Sequence, residues 1–142
     1  MAFVTLLLVA LAVGVPAVDG ATPKRGTFEN KSQSKGLYLE TTRHTVRTLW
    51  LFCRDHRYDG ATVRPERRQG RYEIRHPVRI RSGGRFSYEG TGYRYGPESQ
   101  PLGKWRMKVS GRFTSRTRVK ITRSLHGCGP RLTTSAHRTG GL

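Results

Sequence analysis

The sequence predicts an all-β fold, a small antiparallel β-sandwich or barrel stapled by one disulfide. Three observations point there. No segment spaces its apolar residues at the helical period over three turns, while several short runs alternate apolar and polar residues. Glycine and proline, 17 and 7 of 142 residues, punctuate those runs. The two cysteines, Cys53 and Cys128, form an even pair, which in an exported chain reads as a disulfide.

Export is read from the first residues. Ala2 to Val18 is apolar except for Thr5, and Ala17 and Gly20 are small residues with Val15 and Val18 at their −3 positions. That layout predicts a secretory signal peptide over residues 1–20, cleaved after Ala17 or Gly20. No cation precedes the apolar run; Lys24 and Arg25 follow it. On the positive-inside rule this pattern favours keeping the C-terminal side in the cytoplasm. An uncleaved anchor, or a true start lying upstream, is therefore the alternative. The implied location is secreted or cell envelope. About 120 residues remain, enough for one domain that buries about two thirds of its unfolded surface.

The elements follow in order. Residues 21–35 are expected to be a flexible polar arm with a short strand near Thr27 to Glu29. Asn30-Lys31-Ser32 matches the glycosylation triplet, which matters only in a eukaryotic secretory path. Gly36 to Glu40 starts a short strand. Thr45 to Cys53 is a long one, apolar on both faces at its end, which places that end inside a sheet or between two sheets. Residues 55–70 form a long loop broken by Gly60, Pro65 and Gly70.

Glu73 to Arg81 alternates, with Ile74, Val78 and Ile80 on one face and Arg75, Arg79 and Arg81 on the other. Pro77 has no donor for a ladder, so this is an edge strand or carries a bulge. Ser82-Gly83-Gly84 is a turn, and Arg85 to Tyr88 leads out of it as a hairpin. Residues 90–103 form a second loop. In Lys104 to Val109, Trp105, Met107 and Val109 face inward. Thr117 to Leu125 is the last clear strand, with Val119 and Ile121 inward. The β domain thus spans residues 36–130. Residues 131–142 are a tail with a short strand at its start.

One phrase occurs twice: Gly84-Arg85-Phe86-Ser87 and Gly111-Arg112-Phe113-Thr114. It reads as one turn solution used twice. Each glycine supplies the positive φ of a tight turn or bulge; Arg then points out, Phe in, and Ser or Thr out. Neither copy opens a helix or has P-loop spacing, so no phosphate-cradling loop is implied.

This order of features resembles the small secreted β-rich, single-disulfide proteins of high-GC actinobacteria. A leader, a glycine-bearing first strand, Phe52-Cys53, the two Gly-Arg-Phe phrases and a last strand ending in Gly127-Cys128 carry the resemblance, from about Gly36 to Cys128. It implies a compact antiparallel domain with one disulfide and brings no assigned activity. This chain departs from the group in being far more basic.

Few chemistries fit. Cys53, His56, His126 and Cys128 make a tetrahedral zinc set conceivable. Export and the unusual His-x-Cys spacing favour a disulfide with two nearby histidines. Closing that loop stabilises the fold by about 4 to 5 kcal/mol in the chain-entropy treatment. There is no Gly-x-Ser-x-Gly elbow, a disulfide sulfur is no nucleophile, and the scattered acids do not read as a paired-carboxylate site. No catalytic residue and no cofactor is assigned. The enzyme alternative is a small basic secreted ribonuclease or phosphodiesterase-type hydrolase. Its candidate groups are Glu73, Arg75 and His76, although His76 takes the opposite strand face.

Charge is the strongest signal. Lys and Arg number 27 against 9 acids, for a net charge of +18. Arg75, Arg79, Arg81, Lys104, Arg106, Lys108, Arg118 and Lys120 all fall on outward strand faces. If those strands are neighbours they form one basic sheet surface that attracts polyanions. Tyr93-Arg94-Tyr95 adds faces for stacking on bases or sugars. The expected function is therefore a secreted non-enzymatic β domain associating with an anionic envelope surface or polyanion. Its partners would be an anionic cell-wall polymer, an anionic membrane surface or extracellular nucleic acid. The bland alternative is a structural domain with no specific ligand, whose cations keep an exposed sheet soluble and unpaired at its edges.

Overall fold

Alternation is what the chain turns into structure. The computed structural model describes residues 20–32, 36–54, 69–96, 99–126, 128 and 130–142, with Cys53, Arg54 and Gln69 described by backbone alone. The strands in chain order are β1 (Gly26–Asn30), β2 (Leu37–Thr41), β3 (Thr45–Arg54), β4 (Gln69–Ile74), β5 (Val78–Arg79), β6 (Arg85–Tyr95), β7 (Pro101–Ser115), β8 (Arg118–Leu125) and β9 (Leu132–Gly140). Each long strand pairs antiparallel with the next, and β9 returns to pair with β1. Eight strands thus close an antiparallel barrel, and the two-residue β5 pairs with the start of β3. Of the sandwich and the barrel that the sequence allowed, the protein is a barrel.

Closure depends on two segments expected to be an arm and a tail. β1 contributes Phe28, fully buried, and β9 contributes Thr134 and Ala136. The inward residues of β9 are small, so its alternation is faint in the sequence. The Phe28 ring meets Phe113 edge-on at 5.3 Å. The Asn30 amide fastens the seam, donating to Ser135 O at 2.7 Å and Thr134 Oγ1 at 3.2 Å. The glycosylation triplet therefore begins on an asparagine whose side-chain nitrogen is already used.

The second expected loop is mostly strand. β6 runs on to Tyr95 and β7 begins at Pro101, joined by a turn in which Gly96 N donates to Gln100 O at 2.8 Å. Gly90 and Gly92 make room for neighbours instead of bending the chain, whereas Gly103 takes a left-handed backbone, φ 90°. A Cβ on Gly92 would meet the Met107 sulfur. Of the first long loop, expected over residues 55–70, residues 55–68 lie outside the described residues, as do residues 1–19, while Gln69 and Gly70 open β4.

The repeated phrase proves to be a cross-strand pair. Arg85 stands opposite Arg112, and Phe86 opposite Gly111. The Phe86 and Phe113 rings lie 5.8 Å apart inside the barrel. Only the first copy is a turn: Gly83 and Gly84 have φ of 74° and 67°. Gly111 is mid-strand, without a left-handed backbone, and its missing side chain is the space the Phe86 ring occupies. Gly111→Ala is expected to destabilise by about 1 to 3 kcal/mol, the range for overpacking a filled core. Chemical denaturation checks this, and a second change, Phe86→Leu, should recover part of the loss.

The remaining inward positions fill the interior. Leu37, Leu39, Leu49, Leu51, Tyr72, Ile74, Met107, Val109, Val119 and Ile121 are all buried. An eight-stranded ring leaves just the width that such side chains occupy. Ile74, Val78 and Ile80 are buried, as the alternating pattern required, and β4 gives way before Pro77.

Candidate anion-binding groove

The pairing register decides which outward cations meet. On β6, β7 and β8, Arg85 stands opposite Arg112, and Arg112 opposite Lys120. Cross-strand partners sit about 5 Å apart at their Cβ atoms, so three cations form one row across three strands. The next outward row is Ser87, Ser110, Thr122 and Thr133. The Thr122 and Thr133 hydroxyls share a hydrogen bond of 2.9 Å. Arg81 joins the cation row through its backbone bridge to Arg85. Apart from Thr133, these residues line a concavity of about 760 Å³ with Ser82 and Thr114, and among the described residues no carboxylate lines it. The nearest acid on the outer face of β6, Glu89, pairs with Lys108 at 3.3 Å.

Like charges directly opposite each other destabilise a sheet. At Arg112 and Lys120, β7 and β8 are paired on both sides, so these two cations guard no open edge; β6 pairs with β4 only at Tyr93–Tyr95, and at Arg85 its second side carries the bridge to Arg81. The row is an arrangement that an anion relieves: guanidinium, ammonium and hydroxyl groups are all donors to phosphate or sulfate oxygens.

The cations expected to form one basic sheet are divided by the closure of the barrel. Arg81 and Lys120 enter the groove. Lys104, Arg106 and Lys108 run along the outer face of β7 toward its start, and Arg118 follows the turn into β8. Arg75 and Arg79 lie on the β4–β5 stretch, round the curve from β8. Arg85 and Arg112 are the residues that sequence reasoning missed. Both sit in the repeated phrase, and the missing signal was their register.

Tyr93-Arg94-Tyr95 does not form an exposed stacking platform. Alternation sends Arg94 into the barrel, where it is 1% exposed. Its guanidinium packs over the Trp105 ring at 4.4 Å and the Tyr72 ring at 5.4 Å. Tyr93 and Tyr95 face outward, but this protein's own cations cover them. Arg75 lies 4.3 Å from the Tyr93 ring and Arg71 lies 4.5 Å from the Tyr95 ring. Arg71 also covers Trp50, which leans on Tyr38. The stripe is a self-satisfied ladder of cations and rings. Arg123 is also buried, donates to Gly36 O at 3.1 Å, and has its pKa pulled down to about 10 by that burial.

At the end of the ladder, burial pushes the Tyr38 phenol up to about 12, helped by its 2.6 Å hydrogen bond to Glu40. The folded value lies above the ordinary one. The stabilisation is therefore whole below pH 10 and is lost as pH rises from about 10 to about 12. Tyrosinate absorbance should show a late-titrating component that is smaller in Tyr38→Phe.

The other chemical constellations find less support in the geometry. Glu73 is held by Arg75 at 3.0 Å and Arg71 at 3.9 Å, so the carboxylate named for a ribonuclease base is already salt-bridged. His76 is an exposed bend residue. Among the described residues no three metal-ligating side chains converge. His126 packs its ring 5.2 Å from Trp105, while His56 and the Cys53 side chain lie outside the described residues. Cys128 is half-buried against the core and is not a free thiol.

No protein-family profile matches the chain, and no curated protein or solved structure matches it.

Proposed function

We propose that this is an exported, non-enzymatic barrel of the cell envelope that binds polyanions in the Arg81–Arg85–Arg112–Lys120 groove. A Cys53–Cys128 disulfide closes the opposite mouth. The observation that carries the reading is the cation row itself. Three like charges stand in register, flanked by hydroxyls, with no acid among the described residues lining the cavity they form. A net charge of +18 steers any polyanion toward the surface. The groove gives that attraction a place of defined geometry.

The test is binding to heparin and to single-stranded DNA across salt concentrations, with the DNA examined for cleavage. Affinity that falls steeply with salt while the DNA stays intact supports the reading, because released counterions set that slope. Cleavage would move the assignment to a phosphodiesterase. Absence of binding at low salt would leave a structural domain without a ligand.

A further inference from the structure

The chain joins the barrel at the same end as the groove. Ala21 N donates to Phe113 O at 2.9 Å and Lys24 N to Arg116 O at 2.9 Å, both at the end of β7. A side-chain carbon built on Gly20 would lie 3.0 Å from Arg112 Nε. The residues before Gly20, apolar in sequence from Ala2 to Val18 apart from Thr5, therefore connect to the barrel beside the cation row. Arg43 and Arg116, with Thr22 and Pro23, line a second concavity of about 320 Å³ on this rim.

The described carboxylates lie elsewhere. Glu29 and Glu40 stand by Tyr38 on the β1–β2 wall, Glu73 is among its arginines, and Glu89 is paired with Lys108. The β3 and β4 ends that bracket residues 55–68, whose sequence holds Asp55, Asp59 and Glu66 beside Arg57, Arg64, Arg67 and Arg68, are at the opposite mouth. The groove cations, with Arg43 and Arg116, thus make a cationic rim where the apolar segment attaches.

We infer that this rim docks on an anionic phospholipid surface, with headgroup phosphates in the groove. The inference rests on the polyanion reading and on residues 1–20 staying attached as the uncleaved anchor, and it names the partner. A lipid surface fits better than a soluble polymer because of the alignment. An apolar segment that partitions into a bilayer brings the rim to within a Debye length of the phosphate plane, about 8 to 10 Å. Each Lys or Arg held there strengthens the attraction to an anionic leaflet. A phosphodiester offers oxygens to the guanidiniums of Arg85 and Arg112 and to the neighbouring hydroxyls, and charge-assisted bonds of this kind are the strong ones. A soluble polymer would require no such match between the attachment point and the groove.

The full chain is reconstituted into vesicles of phosphatidylglycerol and phosphatidylcholine, and separately into vesicles of phosphatidylcholine alone. Exposed amines are acylated with a water-soluble reagent and read by peptide mass spectrometry. Lys120 lies in the groove, and Lys104 lies far along β7 as an internal control. On anionic vesicles, labelling of Lys120 should fall about fivefold or more relative to Lys104, the ratio that one leaflet contact implies. On neutral vesicles the ratio should stay unchanged, and Arg85→Thr with Arg112→Thr should restore Lys120 labelling on anionic ones.

Equal labelling of Lys120 and Lys104 on anionic vesicles overturns the inference, as does equal protection on neutral vesicles. Stronger protection of Lys120 by soluble polyphosphate than by vesicles would make the partner a polymer and overturn it as well. Heparin binding of the same preparation separates the two levels. If heparin binds and Lys120 stays open on vesicles, only the lipid partner falls. If heparin does not bind, the groove reading falls too.

Discussion

Replacing Cys53 and Cys128 together by serine is expected to lower the free energy of unfolding by about 4 to 5 kcal/mol, the loop-closure value for a loop of roughly 75 residues. For a domain of this size that corresponds to a fall in Tm of roughly 15 to 20 °C. The topology says where the loss acts. Cys53 is paired with Gly70 near the end of β3, and Cys128 follows the end of β8. From β3 to β8 the ring passes β4, β6 and β7, so in eight strands the two walls are diametrically opposite. A bond between them would tie the mouth across its diameter, a restraint that no ladder hydrogen bond supplies.

Hydrogen exchange in the variant should therefore accelerate at the ends of β3, β4 and β8 and change little at the Arg85–Arg112 rim. Heparin binding should survive under conditions where the variant is folded. A variant within about 1 kcal/mol of the parent would show that no such bond forms or that it restrains nothing. Intact mass under non-reducing conditions separates the disulfide from metal: loss of two protons supports the bond, and a retained zinc mass rejects it.

Much of the barrel was legible because alternation is local. Ile74, Val78 and Ile80 inward, Trp105, Met107 and Val109 inward, and Val119 and Ile121 inward all agree with the structure. Three features were hidden, each for a physical reason. Gly90 and Gly92 read as loop residues, yet they lie in β6 as gaps that Tyr88 and Met107 fill. Once that stretch is a strand, the inward placement of Arg94 follows from its period.

The inward residues of β9 are too small to announce a buried face, and only the large Phe28 and Phe113 on neighbouring walls explain why they suffice. The groove was the least legible. Each of its cations was visibly outward, but their meeting depends on register. Register is set by the whole hairpin, here with Phe86 seated over Gly111.

Removing that row should move binding and stability in opposite directions. Arg85→Thr, Arg112→Thr and Lys120→Thr keep strand-forming residues at all three positions. Each lost contact lowers affinity for single-stranded DNA about fivefold, so the triple variant should bind roughly a hundredfold more weakly at physiological salt. Its salt slope should shrink by about 2, since each phosphate contact to a single strand contributes about 0.7. Stability should rise by about 0.5 to 1 kcal/mol, because two directly opposed like-charge pairs disappear. A control with Arg79→Thr, Lys104→Thr and Arg106→Thr removes the same charge from sites outside the groove. If net charge alone governs binding, the two triple variants will weaken equally. If the register of the row governs it, only the first loses most of its affinity, and only the first gains stability. Equal losses would reduce the groove to ordinary surface charge, and an unchanged affinity in the first variant would remove it as a site altogether.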